Sequence, residues 1–337
     1  MRLLYIFIIL CFSLEAKDYT KHYRAIQIIN QLSKHHGFTR RELKSLFRNV
    51  RVQHAALCRV KPSHKLGKVR DTRSHKEVQK LRKILKKYGQ WGRYARLKVN
   101  NCRARQGVAF IKRNRATFNA VEKKYGIPKE YIAAIIGIET AYGHNVGRYP
   151  VFDTLATLTF EKNRRNRFFR KELIKFLKLS KSEKFNPRNI RGSYSGAIGL
   201  GQFLPSNYEA YGIDFNKDGK ITLQGSDDAI ASIANYFKKN GWKKGQPVAI
   251  RVRYQGKRFF KYRTGYKYTY TQKSLRGIKP VYAWNYKGKV SLIKLKKKTY
   301  DELWYGTKNF FVITRYNHSD YYAMAVHKLA EKIKKKL

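Results

Sequence analysis

The chain has 337 residues, 42% hydrophobic and 14% aromatic, enough to bury a real core and to exclude a wholly disordered polycation. Its 75 Lys and Arg against 21 Asp and Glu leave a formal net charge of +54. That excess calls for a polyanionic partner: nucleic acid, an anionic membrane or an acidic cell-wall polymer. The basic residues run along nearly the whole length, so charge alone does not choose among these.

Arg2 precedes an apolar run from Leu3 to Leu14, and Ala16 closes a cleavage site. This is the pattern of an export signal, and the run is too short to span a membrane. Cys11 follows the bulky Leu10, which does not suit lipidation. Export with cleavage after Ala16 therefore predicts a soluble periplasmic protein. Cys58 and Cys102 then remain, as one disulfide or as two thiols, and the thiol reading is favoured.

Residues 17–106 read as a helical domain. Tyr23, Ile26, Ile29 and Leu32 keep helical spacing up to Gly37. Thr39 with Glu42, and Ser74 with Glu77, are capping boxes that predict two more helices. Val60 to Arg73 reads as a polar connection. Trp91 and Tyr94 stand in the basic stretch WGRYARLK, either anchoring a loop or forming a stacking platform. Phe110 to Tyr125 predicts one helix closed by Gly126.

Tyr131 to Gly143 is YIAAIIGIETAYG, just after Pro128, a favoured helix starter. No polar side chain occurs from Ile132 to Ile138, so this helix belongs in a core. Glu139 ends the run. A carboxyl at the edge of a core stays protonated more easily, as a general acid requires. The plainer alternative is a Glu that caps or pairs at the helix end.

Asp153 is read as the N-cap of the next helix. Arg164 and Arg165 form an adjacent basic pair, either a solvated turn or an anion site. Gly192 to Tyr208, GSYSGAIGLGQFLPSNY, holds four glycines in ten residues, with Ser193 and Gln202 as polar groups among them. Pro205 then starts a short helix.

Asp214, Asn216, Asp218 and Gly219 match the opening of a calcium loop, and Lys220 would offer its carbonyl. Gly225 stands where the final Glu is expected, and Asp228 could replace it in a lengthened loop. An Asx-rich turn without metal is the alternative. Ala229 to Asn240 predicts a helix. Alternation from Val248 to Tyr254 then marks a small β region, with strands near Tyr266–Tyr270 and Val290–Leu295. Phe310–Thr314 reads as a further strand. Arg315 to Ser319 is a polar loop, and Ser319 caps a last helix from Asp320.

Taken in order, GIETAYG, GSYSGAIGLGQFLPSNY, the calcium-type loop, Asn235-Tyr236-Phe237-Lys238 and ITRYNHS resemble the lytic murein transglycosylase B family of bacterial cell-wall enzymes. The resemblance covers nearly the whole chain after the signal and is densest from Gly107 to Ile250. It implies an α+β, mainly α fold: a lysozyme-like helical core at 107–243, an α domain at 17–106, a small β domain at 244–308, and a return to the core at 309–337. It implies cleavage of the bond between N-acetylmuramic acid and N-acetylglucosamine in peptidoglycan, leaving a 1,6-anhydro end. Glu139 would be the single acid and base. Glycan contacts fall on Tyr94, Arg164, Arg165, Ser193, Gln202, Tyr236, Tyr316 and Asn317. Calcium ligands fall on Asp214, Asn216, Asp218, Lys220 and Asp228. Two departures stand out: Tyr142 occupies a place usually held by Trp or a similar ring, and no clear lipidation motif is present.

The residues themselves support that chemistry. No partner carboxylate is evident, so a two-carboxylate scheme is disfavoured. Peptidoglycan strands are the expected partner, with other wall enzymes as further ones. The competing expectations are a hydrolytic muramidase and a non-catalytic basic binder of wall or nucleic acid.

Overall fold

A computed structural model describes residues 16–60 and 75–337. The signal sequence, Cys11, the 60–73 connection beyond Val60 and the Ser74 cap lie outside the described residues. In chain order the helices are α1 (Tyr23–His35), α2 (Arg40–Arg48), α3 (His54–Val60), α4 (His75–Lys98), α5 (Asn101–Arg113), α6 (Arg115–Tyr125) and α7 (Lys129–Thr140). They continue as α8 (Val151–Phe160), α9 (Asn166–Ser182), α10 (Pro205–Tyr211), α11 (Ser226–Lys239), α12 (Lys308–Tyr316) and α13 (Asp320–Lys334). The strands are β1 (Ala16–Lys17), β2 (Val50–Arg51), β3 (Tyr149–Pro150), β4 (Arg191–Gly192), β5 (Ala249–Tyr254), β6 (Ile278–Pro280), β7 (Ser291–Lys296) and β8 (Asp301–Gly306).

The chain forms two compact units, each assembled from separate stretches. The linear boundaries expected at 106/107 and 308/309 fall inside α5 and α12.

The first unit takes the N-terminal residues to 60, then 147–197 and 204–206. Its centre is α8, buried along its whole length because nine of its ten residues are apolar or Thr placed inward on every side. Phe47 of α2 meets Phe152 and Phe160 of α8 at ring distances of 6.0 and 5.4 Å. The Thr39–Glu42 capping box closes as expected, with bonds of 3.0 and 2.7 Å. Asp153 is not the cap of α8; Pro150 holds that position. Asp153 lies inside the first turn, accepting from the Arg51 amide and from the Arg188 guanidinium, both at 3.3 Å. A buried carboxylate paired in this way serves the packing of this unit.

The second unit takes 75–146, 198–203 and 207–337. Here α7 is the buried axis, and α5, α6, α11 and α13 pack against it. Ile132 to Ile136 are wholly inaccessible. The expected helix from Phe110 to Tyr125 is two helices, broken at Asn114, whose side chain bonds back to the Phe110 carbonyl. Trp91 and Tyr94 lie on α4 rather than in a loop. That helix is interrupted at Gly89 (φ 71°), where a Cβ would stand 2.5 Å from the backbone of Lys297.

The β region is a four-stranded antiparallel sheet ordered β6-β5-β8-β7, with Val252 opposite both Pro280 and Leu303. Its core joins Val252, Ile278, Leu292, Leu303 and Tyr305. Tyr266–Tyr270 contributes only an isolated bridge from Tyr270 to Val290. The expected strand at Phe310–Thr314 is instead α12. Thr307 caps it, accepting from the Asn309 amide at 3.1 Å, and the run is buried between β8 and α13. A short apolar run does not distinguish a strand from a buried helix turn, and the cap decides it here.

Candidate active site

Helix α7 carries its buried face to its last turn, so Glu139 arrives at the end of an apolar column. The helix stops because Ala141 (φ 51°) and Tyr142 (φ 60°) take left-handed conformations. Thr140 anchors this stop. Its hydroxyl lies 3.1 Å from the Ile136 carbonyl and 3.0 Å from the Leu200 carbonyl, and it accepts the Gly143 amide. The glycine-rich segment is thereby fixed to the helix end that bears Glu139. The ring of Tyr142 fills a slot made by two glycines: a Cβ at Gly107 or Gly137 would stand 2.5 Å from its hydroxyl oxygen. That hydroxyl is buried without a partner among the described residues.

Four further side chains surround Glu139. The Tyr322 hydroxyl, from the first turn of α13, donates to Glu139 Oε1 at 2.6 Å. Lys98 of α4 donates to the Ile138 carbonyl at 2.8 Å, and its ammonium acts on Glu139. Tyr94, one turn before Lys98, feels the field of Glu139 and packs against Tyr321, with ring centroids 5.9 Å apart and the rings tilted by 59°. Tyr316 ends α12, lies parallel to Tyr322 with ring centroids 6.4 Å apart, and donates to the Gly201 carbonyl.

Burial pushes the Glu139 carboxyl above its ordinary value of 4.5; the Tyr322 bond and the Lys98 charge pull it back without cancelling the rise. The same burial, with Glu139 nearby, pushes the Tyr322 and Tyr316 phenols up, so both remain donors. Lys98 is pushed down by its own burial, and Glu139 opposes that. Burial thus raises the hold of this carboxyl on its proton, and Tyr322 is a fixed donor beside it.

The other expected site residues divide between the two units. Tyr94, Gln202, Tyr236, Tyr316 and Asn317 share the unit of Glu139. Gln202 (φ 52°) donates through its amide nitrogen to the carbonyls of Val146 and Gly199. Tyr236 is only 5% exposed; its ring packs 4.9 Å from Tyr316 and 4.6 Å from Tyr211, so it props Tyr316. Asn317 is exposed just past α12. Arg164, Arg165 and Ser193 belong to the first unit. Both arginines are exposed, and Arg165 lies 4.2 Å over the Phe168 ring. Ser193 accepts the amides of Ala197 and Ser195, holding its own turn. Cys58 and Cys102 are free and exposed.

Sequence reasoning missed Tyr322 and Lys98. Lys98 was within reach, being four residues after Tyr94 on the same helical face. Tyr322 gave no signal, because only tertiary packing brings α13 to α7.

The loop from Asp214 to Asp228 is tightly organised. Asp214 Oδ2 accepts the Gly219 amide, Asp218 Oδ1 accepts the Lys220 amide, and the two oxygens of Asp228 accept the amides of Phe215 and Thr222. Asp214 Oδ1 is buried without a partner among the described residues. A buried, unpaired carboxylate oxygen at the first position of such a loop suits a cation. No three His, Cys, Asp or Glu side chains converge on a metal position among the described residues. A hard cation here would therefore also need the Asn216 amide oxygen and the Lys220 carbonyl, which is the donor mixture calcium accepts.

The transglycosylase SLT domain family matches residues 21–331. Membrane-bound lytic murein transglycosylase B of Escherichia coli (strain K12) is 35% identical over 318 residues, 94% of this chain and 84% of that protein. The structure of the Escherichia coli lytic transglycosylase Slt35 in complex with calcium is 33% identical, with a TM-score of 0.82 over 96% of each chain. The soluble lytic transglycosylase SltB1 of Pseudomonas aeruginosa is also 33% identical, with a TM-score of 0.78 over 93% of this chain and 99% of that one.

Proposed function

The chain belongs to the transglycosylase SLT domain family and is a peptidoglycan lytic transglycosylase, and on that premise we propose that Glu139 is its single acid and base. The observation that carries this reading is the hydrogen bond from Tyr322 to a carboxyl at the end of a buried helix. Glu139 gives its proton to the glycosidic oxygen between N-acetylmuramic acid and N-acetylglucosamine, and that bond breaks. The acetamido oxygen of the substrate supports the positive centre. The carboxylate left behind accepts from Tyr322 and then takes the proton of the muramic C6 hydroxyl, whose oxygen closes the 1,6-anhydro ring. Such an intramolecular attack gains about 7 kcal/mol or more over a free nucleophile in well-aligned cases.

Tyr94 and Tyr316 offer flat faces to sugar rings, and Tyr236 acts through Tyr316. Gln202 and Asn317 offer polar contacts in this unit; on the first unit, Arg164, Arg165 and Ser193 are taken as glycan contacts. A structural calcium ion is held by Asp214, Asn216, Asp218, Lys220 and Asp228; the orphaned Asp214 oxygen and the calcium complex of Slt35 support this. No helix among the described residues is long and apolar enough to cross a membrane. The export pattern supports a periplasmic enzyme; the Escherichia coli relative is named membrane-bound.

Digestion of purified peptidoglycan, borohydride reduction and mass spectrometry test the chemistry. Anhydro ends, which cannot be reduced, should dominate. Mainly reducible muramic ends would make the enzyme a hydrolytic muramidase with Glu139 as its acid.

A further inference from the structure

The unit that contains Glu139 has a second cavity, of about 1020 Å³, that neither Glu139 nor Tyr322 lines. It shares three helices with the candidate active site. Trp91 and Ala95 on α4 and Val99 just past its end recur every four residues and line the cavity. Tyr94 and Lys98 on the same helix sit next to Glu139 in its field. On α7, Glu130 and Tyr131 line the cavity about eight residues before Glu139, or roughly 12 Å along the axis. On α13, His327, Lys328, Glu331 and Lys332 line it, whereas Tyr322 reaches Glu139.

Its lining is unusual for a chain with four tryptophans: Trp91, Trp242 and Trp304 all contribute. Tyr282 joins them, a residue 78% exposed. Lys328 stands 3.9 Å over the Trp304 ring, and Trp304 donates to Glu302 at 2.8 Å. Lys297 pairs with Glu302 at 3.5 Å. Six basic and three acidic side chains line the cavity in all. Lys328 is pushed below its ordinary value by burial; Glu302 and Glu331 oppose that, and the Lys297 and Arg251 charges add to it.

We propose that this cavity is a second wall-binding subsite, which takes the stem peptide and adjoining sugar of a peptidoglycan strand outside the cleavage site. Aromatic faces with interspersed polar groups suit sugar rings. The mixed charge decides against a nucleic acid, because Glu130, Glu302 and Glu331 would oppose a continuous run of phosphates. A stem peptide carries several carboxylates and an amino group, and so matches both signs. Lys328 and Lys332 meet the carboxylates, Glu331 meets the amine, and Tyr282 covers the sugar. A second hold on the wall raises the local concentration of strand at the active site. The proposal rests on peptidoglycan as the substrate.

The test compares the full chain with Tyr282→Ala/Lys332→Gln and, separately, Lys328→Met. Binding is read by co-sedimentation with insoluble peptidoglycan, and turnover on a short soluble glycan fragment. Both variants should bind insoluble peptidoglycan about tenfold more weakly, a loss of roughly 1.4 kcal/mol, with turnover of the short fragment unchanged. Strands stripped of stem peptides should bind wild type and Lys328→Met alike, whereas Tyr282→Ala/Lys332→Gln should still show the loss of its sugar contact. Unchanged sedimentation of folded variants would overturn the proposal, and so would an equal loss by Lys328→Met on stripped strands. Loss of binding to single-stranded DNA or anionic vesicles, with wall binding retained, would assign the cavity to those ligands instead. Glu139→Gln should keep the sedimentation and lose turnover, so failure of the catalytic reading would show independently.

Discussion

Tyr322 Oη and Glu139 Oε1 are joined by a 2.6 Å hydrogen bond across 183 residues of sequence. The bond couples α7 to α13, whose packing builds the centre of the second unit. It also places a donor on the one carboxyl that ends the apolar column. A phenol held there costs little reorganisation when the carboxyl loses its proton, because the dipole already points at the oxygen that becomes charged.

Glu139→Gln should lower turnover by at least about a hundredfold, the scale of a lost general acid. It should also stabilise the fold. The folded carboxyl is raised above its ordinary 4.5, so its contribution is fully present below that pH and is lost as pH rises through the folded value. Glutamine never ionises and can still accept from Tyr322. The melting temperature gained over wild type should therefore grow as pH rises above 4.5. A gain that is flat or shrinking with pH would contradict the burial argument.

Tyr322→Phe should keep the fold and lower kcat by about tenfold to a hundredfold, the worth of a hydrogen bond to a charged group. Removing a bond that favours the carboxylate raises the Glu139 value further. The basic limb of the pH–rate profile should thus move to higher pH. A fall in kcat with an unmoved limb would mean that Tyr322 supports packing only.

Tyr142→Phe should be neutral or stabilising by up to about 1–3 kcal/mol, because the removed hydroxyl is buried without a partner among the described residues. Gly137→Ala should destabilise by about 1–3 kcal/mol, since its Cβ would stand 2.5 Å from that hydroxyl oxygen and 2.7 Å from the ring carbon that bears it. Urea unfolding curves of the two variants check both signs.

Calcium should raise the melting temperature of wild type, and a chelator should remove the gain. In Asp214→Ala, which deletes the orphaned oxygen, the calcium-dependent shift should vanish. Turnover of either protein at a temperature where both are folded should not depend on calcium. A shift that persists in Asp214→Ala would place the ion elsewhere.

His327 is buried, bonded to the Tyr131 hydroxyl at 2.8 Å, and pushed down to about 3 by burial. The unfolded imidazole takes a proton near 6.5 and the folded one does not. This contribution is present above 6.5 and is lost as pH falls towards 3. Between pH 6.5 and 5, unfolding free energy should drop with acidification by about 1.4 kcal/mol per unit from this group. His327→Leu should flatten the slope in that range; an unchanged slope would refute the assignment.

Much was legible in the sequence. The run Ile132–Ile138 identified α7 as buried, because seven consecutive side chains without a polar group leave a helix no face for water. Thr39, Glu42 and Ser319 identified helix starts, because caps are local chemistry. The alternation from Val248 located β5, while β8 went unseen: five of its six residues are buried, so no alternation remains to read. The order of the short motifs was specific enough to point to the family. The sequence could not reveal what depends on distant segments meeting. The compact units are discontinuous, so no linear boundary describes them. Tyr322 and Lys98 come to Glu139 only through the packing of α13 on α7 and of α4 on α13, and three tryptophans from three parts of the chain meet in one cavity for the same reason. Residue types and local spacing set what a side chain is able to do; burial and neighbours, which only the tertiary structure supplies, set whether its proton stays on.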